Sequence, residues 1–368
     1  MGSPRLGLHL TDRCQLDCDH CLRDPSRQPK DLPLSLVAEI ISEVHSLYGL
    51  TDVSMTGGEP TLHPDFLSII DLIVEHEMRW DMVTNGLSLT QTLAKLDESP
   101  RRLAGLRSMS LSVDGACEET HDGIRGKGAF TAVMAGATAC SARHLPFGIQ
   151  MALNARNIDE IERVGMLAGQ LGAKHVSFAM LQATGTSLDD QLYLPARSWR
   201  RVRARIEQLA RVLAIQVVLP EGHYSDSLYT TCGALRGEML HVDVDGNLSL
   251  CCLHSGVPSE GAVRDVAASL LDTPFHEAHR QLHELINATQ ARNIQWLVSH
   301  RGTTDEWDHF ACNRCLASFG KPHWTSAGGA GPAATRERWA GRPTRADAHK
   351  SSKRDRDRIR LTILGGSG

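Results

Sequence analysis

Between Arg5 and Leu219, short apolar runs alternate with longer stretches whose apolar residues recur at three- and four-residue spacings. That alternation predicts repeated βα units around a parallel sheet. The expected strands are residues 5–10, 52–56, 80–84, 108–113, 147–153, 176–181 and 215–219, with helices between them. The helix opening near Ser35 places Val37, Ile40, Ile41, Val44 and Leu47 on one face, and Gly49 follows as its stop. Residues 130–143, 159–171 and 196–213 read the same way, the second preceded by Asn157 as a cap. Six or more such units predict an α/β fold of the complete or partial (β/α) barrel type.

Beyond Leu219 the pattern changes. Residues 241–244 and 247–251 flank Asp245-Gly246, which predicts a hairpin with a type I′ turn; residues 274–300 are helical, and Cys312-Asn-Arg-Cys315 follows as a turn. The expected division is a barrel over 1–224, a small cysteine-bearing unit of hairpin plus helix over 225–326, and a disordered tail over 327–368. The tail is rich in Gly, Ala and Pro and then in mixed charge, too poor in apolar residues to offset ordering entropy.

With 368 residues the chain is long enough for one large core and an appendage. A net charge of -4 gives no signature of a polyanionic partner, and Asp355 and Asp357 break up the basic tail, so nucleic acid is not expected. No apolar run is long enough for a membrane helix and no signal peptide opens the chain, which points to the cytoplasm. In that compartment ten cysteines mean metal or redox chemistry rather than disulfides.

Eight of the ten fall into two groups, Cys14, Cys18 and Cys21, and Cys232, Cys251, Cys252, Cys312 and Cys315. The first group is one thiolate short of the four that close a structural zinc site or an ordinary iron–sulfur cluster. A four-iron cluster on three thiolates keeps one iron open to an external ligand. The alternative is a zinc loop completed by His20, whose position next to Cys21 makes joint ligation awkward. Motifs collect at the ends of the expected strands, where barrels carry their functional loops: these cysteines, then Gly57-Gly58-Glu59, Thr84-Asn85-Gly86 and Ser112-Val113-Asp114-Gly115.

Cys14-x3-Cys18-x2-Cys21, placed after a first strand, resembles the CxxxCxxC signature of the radical S-adenosylmethionine (SAM) superfamily. The resemblance implies a [4Fe-4S] cluster on these three cysteines with SAM on the open iron, and His20 near the adenine. It assigns Gly57, Gly58 and Glu59 to the motif that meets the SAM amino group, and Ser112 and Asp114 to the ribose or carboxylate. His121-Asp122-x2-Arg125-Gly126-x-Gly128-x-Phe130 is similar to a stretch common in members with C-terminal clusters, with Arg125 either at SAM or in a surface ion pair. The implied chemistry is one-electron cleavage of SAM and hydrogen abstraction from a substrate by a 5′-deoxyadenosyl radical. A low-potential electron donor of flavodoxin or ferredoxin type is implied with it.

In the second group Cys232 is followed by thirteen residues, Gly246, four residues and Cys251, and later by Cys312-x2-Cys315. Four soft ligands suffice to close a site. The spacing resembles the opening of SPASM and twitch domains, and the lack of cysteines after Cys315 matches the shorter twitch form. That implies one auxiliary [4Fe-4S] cluster on Cys232, Cys251, Cys312 and Cys315, with structural zinc as the alternative and Cys252 as a spare. A cluster saturated by thiolates accepts or relays an electron and favours net oxidation. Cys140 reads as a core thiol and Cys117 as a small hydrophobe or surface thiol, or a hydrogen donor to a substrate radical.

Maturation of a ribosomal peptide by oxidation or crosslinking, or dehydrogenation of a sugar or aminocyclitol-like alcohol, both suit this set. A first strand expected within ten residues of Met1 fits no fused peptide-binding domain and counts mildly against a peptide substrate, a function that a separate recognition protein could still supply. From another class comes a non-catalytic, zinc-stabilised scaffold. Gln150, Asn154 and Gln182 are candidate substrate contacts at strand ends; no residue stands out as catalytic acid or base.

Overall fold

In the computed structural model the described residues are 3–22, 28–182, 192–229, 231–253, 264–300, 305–321 and 323–324; the expected tail over 327–368 lies outside them. The elements run β1 (Arg5–Thr11), α1 (Leu34–Tyr48), β2 (Asp52–Gly57), α2 (Phe66–Glu75), β3 (Arg79–Thr84), α3 (Leu89–Leu96), α4 (Pro100–Ala104) and β4 (Leu106–Ser112). Then come α5 (Glu118–Arg125), α6 (Ala129–Ala142), β5 (Phe147–Leu153), α7 (Ile161–Gln170), β6 (His175–Met180), α8 (Ala196–Val212) and β7 (Gln216–Val218). The chain continues through β8 (Met239–Val242), β9 (Asn247–Ser249), β10 (Val266–Ser269), α9 (Phe275–Ser299) and α10 (Ala311–Ser318).

The ten strands of the described residues form one open sheet in the order β10-β9-β8-β1-β2-β3-β4-β5-β6-β7. From β1 to β7 the order follows the sequence and every pairing is parallel. Right-handed crossovers wound in one direction put their helices on a single face, giving a partial barrel rather than a doubly wound sheet. The strands alternate accordingly. Leu6, Leu8, Leu10, Val53, Met55, Ile149, Met151, Val176 and Phe178 are buried in the core shared with the helices. The intervening Gly7, His9, Ser54, Thr56, Ser110, Gly148, Gln150 and Ser177 form an inner face that is small and polar.

The segment expected as a second unit extends the same sheet. β8 pairs in parallel with β1, and β9 and β10 add antiparallel strands beyond it. The turn between β8 and β9 is not type I′, which needs positive φ at both central residues. Only Gly246 has positive φ (79°); Asp243 Oδ1 accepts from the N–H groups of Asp245 and Asn247 at 2.9 Å each. A carboxylate that gathers the turn's own donors shapes it as an Asx turn with Gly in the left-handed position. Cys312 and Cys315, expected on a turn, stand one helical turn apart on α10. Among the described residues no helix is long and apolar enough to cross a membrane.

Candidate active site and the two cysteine groups

The first cysteine loop leaves the C-terminal end of β1 and is seated on the end of β2. Gly58 N–H donates to Thr11 O (2.6 Å) and Glu59 N–H to Arg13 O (2.7 Å). A Cβ on Gly58 would lie 2.3 Å from Arg13 O, and one on Gly57 (φ 144°) would lie 2.5 Å from Thr11 O. Both glycines are therefore required for the backbones to approach. Glu59 is buried with its carboxylate turned inward: Oε1 accepts from the hydroxyls of Thr61 (2.8 Å) and Thr84 (2.9 Å), and Oε2 from Asn85 N–H (2.8 Å). Burial pushes its pKa up and these donors pull it partly back. The Asn85 side chain reaches Gln15 Oε1 (3.1 Å) and Cys14 Sγ (3.7 Å), so Glu59 braces the loop through Asn85.

Asp114, two residues past β4, is the second brace. It is fully buried; Oδ2 meets His20 Nε2 and Arg125 Nε at 2.6 Å each, and Oδ1 accepts from Ala152 N–H at 2.8 Å. Burial opposes its ionisation, but Arg125 and His20 outweigh that and hold the carboxyl well below the usual carboxylate range. Arg125 also brings a terminal nitrogen to 4.0 Å from Cys18 Sγ. Burial pushes the Cys18 thiol up to about 12, against the pull of Arg125. Arg125 is thus neither on the surface nor idle: it spans Asp114 and a cysteine of the loop.

The rest of the 121–130 motif is structural support. Asp114 N–H donates to His121 Nδ1 (3.1 Å), and Asp122 accepts from the N–H groups of Gly128 (2.5 Å) and Phe130 (2.8 Å) at the start of α6. Burial, aided by Arg125, lowers His121 to about 4. Asn157, expected as a helix cap, makes no side-chain cap bond. Its amide instead donates to the carbonyls of Asp114 and Ala152 at 3.0 Å, tying the ends of β4 and β5 together. Ser112 ends β4 on the inner face, paired with Gln150.

The donor set fits a cluster with an open position. Three thiols line one loop, with Asn85 and Arg125 aimed at two of the sulfurs, the kind of outer contact that supports iron–sulfur ligation. A zinc ion completed by His20 fits less well, because the Nε2 of that ring is taken by Asp114.

The second group gathers from distant parts of the chain. His241 pairs with Ser249 and Met239 with Arg5, so Cys251, two residues past Ser249, falls level with the start of β1. Cys251 therefore lies at the opposite end of that strand from the first group, a rise of roughly 20 Å for seven residues. Cys312 is pushed well up by burial and by the fields of Cys251, Cys315 and Cys232; Cys315 is raised by burial and by Cys251 and Cys232, with Arg292 opposing. Cys251 is pushed well up by its neighbour Cys252 and by burial, and Cys252 itself is exposed. A Cβ on Gly222 (φ 100°) would lie 2.4 Å from Cys312 Sγ. Among the described residues no three His, Cys, Asp or Glu side chains converge on the point a single ion would occupy. A four-iron cluster does not ask this, since each thiolate binds a different iron.

Outside both groups stand Cys140, buried in α6, and Cys117, half-buried with its Sγ 3.8 Å from Glu160 Oε1. The histidines of the inner face, His9, His175 and His241, had gone unnoticed in the sequence; the signal was the polar residue at every second strand position.

A one-directional parallel sheet with three thiols beyond its first strand and a Gly-Gly-Glu seat beyond its second defines a SAM-radical type of protein. Residues 8–168 match the family model of the Radical SAM superfamily. Among curated relatives it is 34% identical over 195 residues to the AdoMet-dependent heme synthase of Methanosarcina barkeri, covering 51% of this chain and 54% of that protein. It is 29% identical over 258 residues to the PqqA peptide cyclase of Ruegeria pomeroyi, covering 68% of this chain and 67% of the cyclase. Among solved structures, SuiB of Streptococcus suis bound to precursor peptide SuiA superposes with a TM-score of 0.61 at 13% identity, over 77% of this chain and 66% of that one, a likeness of fold. The chain thus spans between about half and two thirds of the length of these relatives.

Proposed function

We propose that this protein is a radical SAM enzyme that oxidises or crosslinks a ribosomally made peptide. The observation that carries the radical chemistry is the three-thiol loop of Cys14, Cys18 and Cys21, braced by Asn85 and by the Asp114, His20 and Arg125 cluster. When bound there, a [4Fe-4S] cluster with SAM supplies a 5′-deoxyadenosyl radical that takes hydrogen from the substrate. The chain's own residues hold the loop rigid, keep Arg125 beside Cys18 as a fixed cation, and leave a small polar inner face beneath the loop for substrate. Gly57, Gly58, Glu59 and Ser112 frame the SAM side of that space.

Cys232, Cys251, Cys312 and Cys315 are read as the residues that would hold an auxiliary [4Fe-4S] cluster, which would supply an electron-accepting centre. The extent 225–326 is read as a twitch-type unit, and a flavodoxin- or ferredoxin-type protein as the electron donor. The peptide reading is supported by the named activity of the cyclase relative over two thirds of its length. A small-molecule substrate is the second reading, favoured by the heme synthase relative.

The test is anaerobic reconstitution with iron and sulfide, then SAM and dithionite. The expected product is 5′-deoxyadenosine, abolished in Cys18→Ala; its absence in the wild-type chain sinks the radical reading. Offering a short peptide encoded beside the gene, and following its mass for loss of two hydrogens, separates peptide from small molecule.

A further inference from the structure

The inner face of β1, β8 and β9 carries polar side chains that the site above does not use. Gly7 pairs with His241, His241 pairs with Ser249, and His9 follows two residues along β1. Paired residues on neighbouring strands share a face, so His9, His241 and Ser249 form one wall. His241 is 3% exposed and Ser249 0%, yet among the described residues His241 Nε2 and Ser249 Oγ have no hydrogen-bond partner. Such orphans are uncommon and point to a ligand or solvent that supplies the missing bond.

The wall also has a location. A cavity of about 700 Å³ opens at the N-terminal ends of the strands, lined by Arg5, Asp52, Arg79 and Met239 and touching Gly233 beside Cys232. From that opening, the next inner-face positions toward Cys14 are Gly7 with His241, and then His9. The cation on this face of β1, Arg5, lies 3.9 Å from Asp81 and is committed to it. Burial and the nearby His9 keep the His241 imidazole neutral, so it offers one donor and one acceptor. A neutral imidazole and a hydroxyl match an uncharged hydrogen-bonding group better than an anion.

Building on the peptide reading above, we propose that His241, His9 and Ser249 form a subsite that hydrogen-bonds an amide of the substrate, which lies between the two cysteine groups. The subsite is tested on SAM-bound holoenzyme carrying 13C-labelled histidine, with N-acetylglycine N-methylamide as an uncharged peptide probe. The His241 and His9 ring resonances, assigned with H241Q and H9Q, are expected to shift saturably while exposed His300 stays fixed. S249A is expected to raise the half-saturating concentration roughly 2- to 10-fold, the worth of one neutral hydrogen bond. An unmoved His241 resonance overturns the subsite, and so does S249A without effect on half-saturation. Sodium acetate acting at lower concentration than the amide overturns the assignment of an uncharged ligand. No turnover is involved, so failure here is distinct from failure to form 5′-deoxyadenosine, which sinks the radical reading instead.

Discussion

Arg125 Nε donates to Asp114 Oδ2 at 2.6 Å in a buried ion pair, and the same guanidinium lies 4.0 Å from Cys18 Sγ. One side chain thus joins the end of β4 to the cysteine loop after β1. Breaking a buried pair from one side strands a charge, at a cost of about 3–5 kcal/mol. R125M is expected to lose that much in anaerobic urea unfolding, whereas R125M combined with D114L recovers part of the loss. Equal stability of the two variants refutes the pairing.

Gly58 tests the seat of the loop separately from the cofactor's chemistry. In G58A the added carbon meets the Arg13 carbonyl, a backbone atom that cannot turn aside. The expected outcome is loss of about four irons, those of the first cluster, with the second retained. Iron and sulfide analysis after reconstitution reads this directly.

The opposite change addresses the second group. C312A combined with C315A removes two of the four thiols and is expected to lower iron from about eight to about four per chain. SAM binding, followed by the EPR change of the reduced first cluster, is expected to persist. Unchanged iron in that variant excludes an auxiliary cluster, and zinc bound in its place identifies the alternative metal.

His241 makes stability depend on pH. Its ordinary pKa is 6.5 and burial, with His9, lowers it to about 3. The unfolded chain therefore binds a proton below about 6.5 that the folded chain refuses until about 3. The stabilisation is complete above 6.5 and falls as pH drops toward 3. Melting temperature measured across pH 7 to 4 is expected to decline, and H241L, which cannot titrate, to decline less steeply.

Much of this was legible in the sequence. Period-two strands and three-four helices came within a residue or two of β1 to β7 and of α1, α6, α8 and α9, because local patterning and burial agree there. The resemblance on Cys14, Cys18 and Cys21 was enough to name the superfamily. What escaped were long-range partners of polar side chains. Asn157 carries a helix-cap signature, but its amide is taken by two carbonyls 43 and five residues away. Asp245-Gly246 looked like a type I′ turn until Asp243 claimed its donors. The pairing of β8 with β1 joins residues more than 230 positions apart, and no local pattern announces it.

That pairing sets the order in which the protein can be made. Until residues 239–242 leave the ribosome, the outer side of β1 is an unpaired parallel edge, the kind of strand that templates association with another chain. The strand bearing the first cysteine loop is therefore an open edge in a nascent or truncated chain ending at β7. The C-terminal segment acts as its built-in edge guard.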